Sequence, residues 1–291
     1  AMKFTCERES ILKEIANAHE IISVRNSLSI LSNVFLSVSN QTLTIRATDL
    51  KVNFETSISV NVLSSGSMTV FCDKLHSILR SLPDGQIEFE QQDEMVLCIS
   101  PVQKNIRFQL KGISSDKYPQ FQTLTAEGTF SFAKKDLIEM VANTIFAVSD
   151  DETRYFMNGV YLEKKGSQII MVATDGRRLA YSSKEIDSAK TDFKGVIIPP
   201  KILNILRRQA PREGELQMAV NEREFHVKFS SQHLSSNLID AQFPNYQRVI
   251  PEQQEHRLVV EREAFEDGLR RVSLLVEQKS RRIYLESKTD N

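Results

Sequence analysis

The run Thr174-Asp175-Gly176 has the residue types that could support catalysis in this 291-residue chain, because a carboxylate held in a loop can act as a general base. Asp and Gly also favour tight turns between strands. Thr48-Asp49-Leu50 repeats the pattern earlier in the chain, which favours a structural turn duplicated with its surroundings. Two alternatives therefore stand: a turn shared by two repeats, or an enzyme of duplicated domains, such as a hydrolase, that uses Asp175.

Other catalytic or cofactor chemistry is not indicated by the sequence. The histidines are scattered, with no HxxxH spacing and no cysteine partner that would suggest a metal site; they are His19, His76, His226, His233 and His256. No GxxxxGK[ST] or GxGxxG phosphate cradle occurs, and no GxSxG nucleophile elbow occurs. We therefore expect no catalytic residue, no metal and no cofactor.

Composition limits the kinds of partner. The net charge is −1, from 37 basic and 38 acidic residues, so a general basic coat for gripping nucleic acid is absent. Any DNA contact must come from an uneven distribution of charge or from topology. Cys6, Cys72 and Cys98 are widely spaced, which fits a reducing compartment. With no apolar run near the ~20 residues of a membrane helix and no signal peptide, we expect a cytoplasmic protein.

An internal repeat organises the chain. A shift of 126 residues sets Phe4 on Phe130 and Ala47-Thr48-Asp49 on Ala173-Thr174-Asp175. A third copy begins near Leu258, where a first strand, a first helix and a following strand are expected, and it is incomplete at Asn291. Each unit is domain-sized and too long for a solenoid repeat. The predicted domains are residues 2–127, residues 128–254 and the truncated third copy at residues 255–291.

The local pattern within a unit is α+β. Apolar positions at helical spacing predict a helix over residues 8–22, and a second helix is predicted near residues 72–82. Strict alternation predicts an antiparallel strand over residues 52–62, and two further alternating runs cover residues 95–99 and 106–110. We therefore expect tandem similar domains, each with two helices packed on antiparallel sheets.

Four stretches resemble one known family. Ala173–Tyr181 (ATDGRRLAY) resembles the signature stretch of the bacterial DNA polymerase III beta subunit, and Phe243–Pro251 (FPNYQRVIP) resembles a second stretch of that family. The opening residues Met2–Thr5 and the run Arg154–Gly159 are also similar to it. The resemblance covers the whole chain and agrees with the repeat length.

This resemblance implies a non-catalytic DNA sliding clamp, or processivity factor, with the DNA-clamp fold. Two chains of three domains would form a head-to-tail homodimer ring around duplex DNA, with helices inside and sheets outside. Its partners would be duplex DNA, the replicative polymerase alpha subunit, the clamp loader and other clamp-binding peptides. Because the third domain is incomplete, we do not expect this chain alone to close a stable ring. The alternative is a peptide-binding scaffold that does not encircle DNA.

The resemblance also implies two sets of site residues. A groove for partner peptides would be formed by Met157, Thr174, Gly176, Arg177, Leu179, Pro244, Arg248 and Val249. Contacts with the DNA backbone would come from helices and loops that face the hole, through Arg25, Lys74, Arg80, Arg154, Tyr155, Lys201, Arg207 and Arg208. The groove is expected to take hydrophobic anchors beside an arginine edge.

Overall fold

The computed structural model describes residues 1–22, 29–93, 95–121, 128–186 and 193–289. Arg25, one of the expected DNA contacts, lies outside these residues. The chain divides into two compact units, Ala1–Pro244 and Asn245–Asn291. The first unit contains both copies of the repeat, whereas the domain boundaries expected at residues 127/128 and 254/255 stay a prediction.

The described residues form five α-helices and seventeen strands. The helices are α1 (Arg8–Ile21), α2 (Cys72–Ser81), α3 (Lys134–Ala142), α4 (Pro200–Gln209) and α5 (Arg262–Ser273). The strands of the first copy are β1 (Lys3–Glu7), β2 (Asn33–Ser39), β3 (Thr42–Thr48), β4 (Val52–Ser59), β5 (Asn61–Ser64), β6 (Gly66–Phe71), β7 (Gln86–Gln92), β8 (Val96–Pro101) and β9 (Phe108–Ile113). Those of the second copy are β10 (Phe130–Ala133), β11 (Val160–Lys165), β12 (Gln168–Thr174), β13 (Leu179–Glu185), β14 (Phe193–Ile198), β15 (Glu215–Val220), β16 (Glu224–Phe229) and β17 (Gln232–Asn237).

The two copies repeat the same order of elements. Each copy runs strand, helix, a group of strands, helix and three strands; the group between the helices has five strands in the first copy, β2 to β6, and four in the second, β11 to β14. Every strand pairing between these elements is antiparallel, from β1 with β7 through β16 with β17. The predicted α+β class of tandem similar domains is therefore confirmed for the first unit.

One sheet runs through both copies. Its strand order among the described residues is β10-β15-β16-β17-β4-β3-β2-β6-β9-β8-β7-β1-β5, and a second sheet has the order β13-β12-β11-β14. The seam between the copies is the pairing of β17 with β4, in register from His233 opposite Glu55 to Ser236 opposite Val52. Backbone hydrogen bonding therefore continues from one copy to the next.

Helices α1 and α2 pack on strands of the large sheet. On α1 the apolar positions Ile11, Ile15 and Ala18 are fully buried, and on α2 Leu75 and Leu79 are fully buried. Burying a large aliphatic side chain stabilises a fold by roughly 1.5–3 kcal/mol, so these stripes bind each helix to its sheet. The opposite helix faces carry the charged side chains. None of the described helices is long and apolar enough to cross a membrane.

The expectation of one continuous strand over residues 52–62 was wrong. The strand predicted over residues 52–62 is interrupted at Val60, whose backbone N–H donates to the carbonyl of Gln41. The chain then turns away as β5, which pairs with β1 instead, Phe4 opposite Val62. The alternation of apolar and polar residues predicts that both β4 and β5 are strands, but it does not show where the chain changes from one pairing strand to another.

The second unit contains α5 where the third copy of the helix is expected. The strands expected on either side of it are not formed in the described residues of this unit, where Val259 is 81% exposed and Leu285 is 70% exposed. Strands need hydrogen-bonded neighbours, and within this unit no other described segment is paired in a sheet.

Candidate functional site

The Asp175 carboxylate is the centre of a hairpin turn between β12 and β13. Its Oδ1 accepts the backbone N–H groups of Arg177 at 2.9 Å and Arg178 at 3.1 Å, and its Oδ2 lies 3.1 Å from Nε of Arg178. The two backbone bonds are the main reason that the pKa of Asp175 is lowered. A carboxylate held in its charged form by its own turn is a poor general base, so the geometry supports the structural reading.

The first repeat builds the same turn. Oδ1 of Asp49 accepts the backbone N–H groups of Lys51 at 2.8 Å and Val52 at 2.6 Å, while Oγ1 of Thr48 accepts that of Leu50 at 2.9 Å. Leu50 adopts a positive φ of 73°, where the second repeat has Gly176 with a φ of 90°. The sequence similarity of the two runs therefore reflects one turn built twice.

Gly176 admits a neighbour that the sequence does not reveal. A Cβ placed on Gly176 would lie 2.9 Å from both Nη1 and Nη2 of Arg154. Arg154 belongs to the short 3-10 segment Glu152–Met157, which was expected to face DNA. Its guanidinium lies over the turn of the expected peptide groove, and the missing side chain of Gly176 makes this approach possible.

Several groove residues share one face of the second sheet. Thr174 is paired with Leu179, and Tyr161 is paired with Val172, two residues before Thr174. Side chains two residues apart point to the same side of a sheet, so Thr174 and Leu179 lie on the face that carries Tyr161. Phe243 stacks on Tyr161 with ring centroids 4.7 Å apart, which brings the adjoining Pro244 towards this face.

Met157 and Arg177 complete the part of the expected groove that lies in the first unit. The carbonyl of Met157 accepts the backbone N–H of Ser149 at 2.9 Å, and Asn158 donates to the carbonyl of Ser149 at 2.7 Å, so this segment is tied back on itself. Arg177 is exposed and has no ion-pair partner among the described residues. Arg248 and Val249 belong to the second unit, where Val249 is 66% exposed.

Arg178 was not expected to matter, yet it holds the outer edge of the turn. Besides Asp175, its guanidinium donates to the carbonyl of Phe146 at 2.7 Å and lies over the Phe146 ring at 5.5 Å. These groups line a cavity of about 610 Å³ together with Asp150 and Glu152. The two adjacent arginines therefore differ. Arg178 stabilises the turn through its contacts with Asp175 and Phe146, whereas the side chain of Arg177 is exposed to solvent.

The expected DNA contacts divide into two classes. Lys74 and Arg80 on α2 and Arg207 on α4 are exposed, and none has an ion-pair partner among the described residues. Arg80 and Arg207 stand in the last turns of their helices, where a positive charge also interacts favourably with the helix dipole. Tyr155 is 54% exposed and meets the ring of Phe156 edge-on.

Lys201 and Arg208 are committed to the junction between the repeats. Nζ of Lys201 lies 2.5 Å from Oδ2 of Asp49, and it donates to the carbonyl of Ile21 at 2.8 Å. Nε of Arg208 lies 3.0 Å from Oε2 of Glu20 on α1. These cations stabilise contacts between α4 and the first repeat, which the basic pattern of the helix does not disclose.

Two further basic residues were missed by the sequence reading. Lys13 on α1 and Lys135 on α3 are exposed and have no ion-pair partner in the described part of the chain. Their positions on the polar sides of amphipathic helices were the available signal. Among the described residues, no group of three or more His, Cys, Asp or Glu side chains is arranged to hold a metal ion.

The chain was compared with protein-family models and with known proteins. Two family models fit the chain, the N-terminal domain of the DNA polymerase III beta subunit over residues 2–122 and its central domain over residues 131–245. The chain is 46% identical to the beta sliding clamp of Treponema pallidum over 284 residues, which cover 98% of this chain and 76% of that protein.

Solved structures give the same picture. The DNA polymerase III subunit beta from Pseudomonas aeruginosa has a TM-score of 0.90 at 29% identity and covers 96% of this chain and 76% of its own. A sliding clamp from Bartonella birtlesii, solved bound to griselimycin, has a TM-score of 0.89 at 31% identity, with 96% and 76% covered.

Proposed function

The chain belongs to the DNA polymerase III beta-subunit family and acts as a sliding clamp without catalysis of its own, and we propose that two separate surfaces of its first unit serve this function. One is a helix surface that meets the backbone of encircled duplex DNA. The other is the groove beside the Asp175 turn, which takes peptides of the replicative polymerase alpha subunit, the clamp loader and other partners. In the full-length protein the assembly is a head-to-tail homodimer ring, located in the cytoplasm.

The DNA surface rests on one observation. Exposed cations without ion-pair partners among the described residues occur at matching helices of both repeats, Lys74 and Arg80 on α2 and Arg207 on α4. A cation already paired with a carboxylate adds little attraction for a phosphate, whereas an uncommitted one releases a DNA counterion when it binds. We therefore assign the backbone contacts to these residues with Lys13 and Lys135, and assign Lys201 and Arg208 to the junction.

Contacts of this kind suit a protein that slides. Lysine and arginine side chains attract phosphates without reading base edges, so the interaction is nearly the same at every position along the duplex. The net charge of −1 supports this view, since binding must then come from a local surface and from encirclement. Tyr155 remains a proposed neighbour of the duplex, and Arg154 is reassigned to the groove because of its contact with Gly176.

The part of the groove in the first unit is proposed to consist of Met157, Thr174, Gly176, Arg177, Leu179 and Pro244, with Arg154 added at its rim. Arg248 and Val249, in the second unit, stay expectations from the family resemblance. The shared sheet face of Thr174 and Leu179 supports an apolar floor, and Phe243 stacked on Tyr161 supports the position of Pro244. Arg154 and Arg177 supply positive charge at the edge. A peptide with hydrophobic anchors and an acidic flank fits this chemistry.

The DNA surface is tested by reversing the same number of positive charges at two different places on the chain. Lys74→Glu, Arg80→Glu and Arg207→Glu are combined in one variant, and Lys104→Glu, Lys111→Glu and Lys228→Glu, all at exposed positions outside the helices, are combined in a matched control. Both sets change the net charge equally. Binding to a short duplex is measured against salt concentration. Each lost phosphate contact should reduce the slope of log K against log salt by ~0.9.

The helix variant should lose both affinity and slope, while the control keeps most of its slope. Equal losses in the two variants would mean that only net charge matters, and the helix surface would be wrong. Wild-type protein that shows no salt-dependent binding would favour the alternative of a peptide-binding scaffold that does not encircle DNA.

A further inference from the structure

Two histidines stand together on the helix surface of the first repeat. His19 on α1 and His76 on α2 stack with ring centroids 5.0 Å apart and an angle of 26° between the rings. Nε2 of His19 lies 3.0 Å from Oδ1 of Asp73, the residue three positions before His76. Both imidazoles are partly exposed, so they can exchange protons with solvent and reach an approaching ligand.

The pair lies beside a proposed DNA contact. Asp73, His76 and Arg80 follow one another at helical spacing along α2, opposite the buried stripe of Leu75 and Leu79. The histidine pair therefore shares its side of α2 with Arg80. The second repeat offers no equivalent. A shift of 126 residues sets His19 on Ile145, and a shift of 127, which sets Leu75 on Ile202 in the second helix, sets His76 on Leu203.

The charges around the pair oppose a second proton. The pKa of His76 is lowered, first by burial, then by the charge of His19 and by Arg80, while Asp73 acts in the opposite direction. When both imidazoles are protonated, the stacked rings bring two positive charges together. The Asp73 carboxylate can offset one of them, through the hydrogen bond that it already makes with His19.

Two ion pairs stand at the end of α1 that carries His19. Glu20, next to His19 on α1, is bonded to Arg208 of α4. Lys201 of α4, at the end of α1, is bonded to Asp49. Neither pair therefore supplies the additional negative charge that would stabilise a doubly protonated histidine pair, and an anion from outside would.

We propose that His19 and His76 form a proton-linked contact for a DNA backbone phosphate, so that binding of duplex DNA is accompanied by proton uptake at this pair. The inference rests on the proposed DNA surface. A phosphate beside the rings supplies the negative charge that the site lacks, and both rings then donate hydrogen bonds when they are protonated. The chain thus holds DNA more tightly as the pH falls through the range in which histidine titrates.

The experiment compares DNA binding across pH in four proteins at constant low salt. They are the wild type, His19→Gln with His76→Gln, His76→Gln alone, and His256→Gln as a control at an exposed position in the second unit. Glutamine keeps a hydrogen-bond donor at each position but cannot take up a proton. Between about pH 8 and about pH 6, wild-type affinity for a short duplex should rise by roughly three- to tenfold more than that of the double variant.

A second measurement avoids reliance on the variants. Calorimetric titration of the wild type with the duplex near pH 6.5, in buffers of different ionisation enthalpy, should show uptake of about 0.5–1 proton per binding event. The His256→Gln protein should match the wild type, and the double variant should show nearly none. A purely structural role would lower affinity by the same factor at every pH.

Three results would overturn the inference. The first is an identical pH dependence in the wild type and the double variant, and the second is no proton uptake by the wild type. Both leave the proposed DNA surface intact, because binding itself persists and depends on salt. The third is the absence of any duplex binding at low pH and low salt, which removes the DNA surface and the histidine contact together.

Discussion

The ammonium group of Lys201 in the second repeat is bonded to the carboxylate of Asp49 in the first, with 2.5 Å between Nζ and Oδ2. Because Asp49 also accepts two backbone bonds in its own turn, one carboxylate joins a local turn to the neighbouring repeat. The same lysine donates to the carbonyl of Ile21 at the end of α1, where helix carbonyls otherwise lack partners. The two repeats are therefore joined by the continuous sheet and also by these polar contacts of Lys201, which we call the latch.

Removing the charge of Lys201 should loosen this junction. Lys201→Met keeps most of the side-chain length but leaves the largely buried Asp49 carboxylate without its cation, so the free energy of unfolding should fall by about 1–2 kcal/mol. Chemical denaturation measures this loss. Lys74→Met, at an exposed position without an ion pair among the described residues, is the control and should change stability by less than about 0.5 kcal/mol. Equal stabilities for the Lys201 variant and the wild type would contradict the latch.

The contact of Arg154 with Gly176 predicts that adding one methyl group at Gly176 lowers the affinity of the groove for its ligands. Gly176→Ala should weaken binding of groove ligands roughly tenfold or more, because the new Cβ displaces the guanidinium and strains a backbone with φ near 90°. We propose that griselimycin, which was solved bound to a related clamp, also binds the groove of this chain, and it therefore serves as the probe. Isothermal titration provides the dissociation constant.

Gly128→Ala is the matched control for this substitution. Gly128 has a φ of 80° but open space around the position of a Cβ, so it tests backbone strain without the clash. Its protein should bind griselimycin as the wild type does. Gly176→Ala should also lower the free energy of unfolding, because its Cβ crowds the Arg154 guanidinium. Adding Arg154→Ala removes that contact and should restore part of this loss. If both glycine variants bind griselimycin normally, Arg154 is not part of the groove.

A histidine pair on the second repeat predicts a pH-dependent stability. Nδ1 of His226 lies 3.0 Å from Nε2 of His233, and Nε2 of His226 lies 2.8 Å from Glu224. Burial, His226 and Lys228 lower the pKa of His233 from 6.5 to about 4. The folded state therefore favours the neutral ring, and its stability should fall as the pH decreases from about 6.5 to about 4. Thermal unfolding across this range measures the effect.

His233→Gln is the test variant, since glutamine can still donate to His226 but does not titrate. Its unfolding midpoint should depend less on pH than that of the wild type in the same window. The two proteins should converge above about pH 7, where the histidine is neutral in both folded and unfolded chains. A parallel decline in both proteins would show that another group, and not His233, titrates.

The regular elements could be predicted from the sequence because they depend on local spacing. The helices predicted over residues 8–22 and 72–82 are α1 and α2 within one residue at each boundary. The Asp175 turn was also predictable, since the side chains of Asp and a flanking Thr accept hydrogen bonds from nearby backbone N–H groups in both repeats. Periodicity and turn chemistry are properties of neighbouring residues.

What escaped prediction depends on partners that are distant in sequence. Lys201 and Asp49 are separated by 152 positions. From the sequence of α4 alone, Lys201, which binds Asp49, could not be distinguished from Arg207, which is exposed. Arg154 reaches Gly176 only because the fold brings a loop against a turn. The strands expected beside α5 failed for the same reason, because alternation specifies a strand face but supplies no partner.

The central claim, that DNA and peptide surfaces are separate on one chain, is tested most directly by measuring both ligands on two variants. Duplex binding and griselimycin binding are titrated for the combined Lys74→Glu, Arg80→Glu, Arg207→Glu protein and for Leu179→Asp. The helix variant should lose duplex affinity and keep griselimycin affinity. Leu179→Asp should do the reverse, because a carboxylate in the apolar floor is costly to bury. Loss of both ligands in either folded variant, or of neither, would contradict the account.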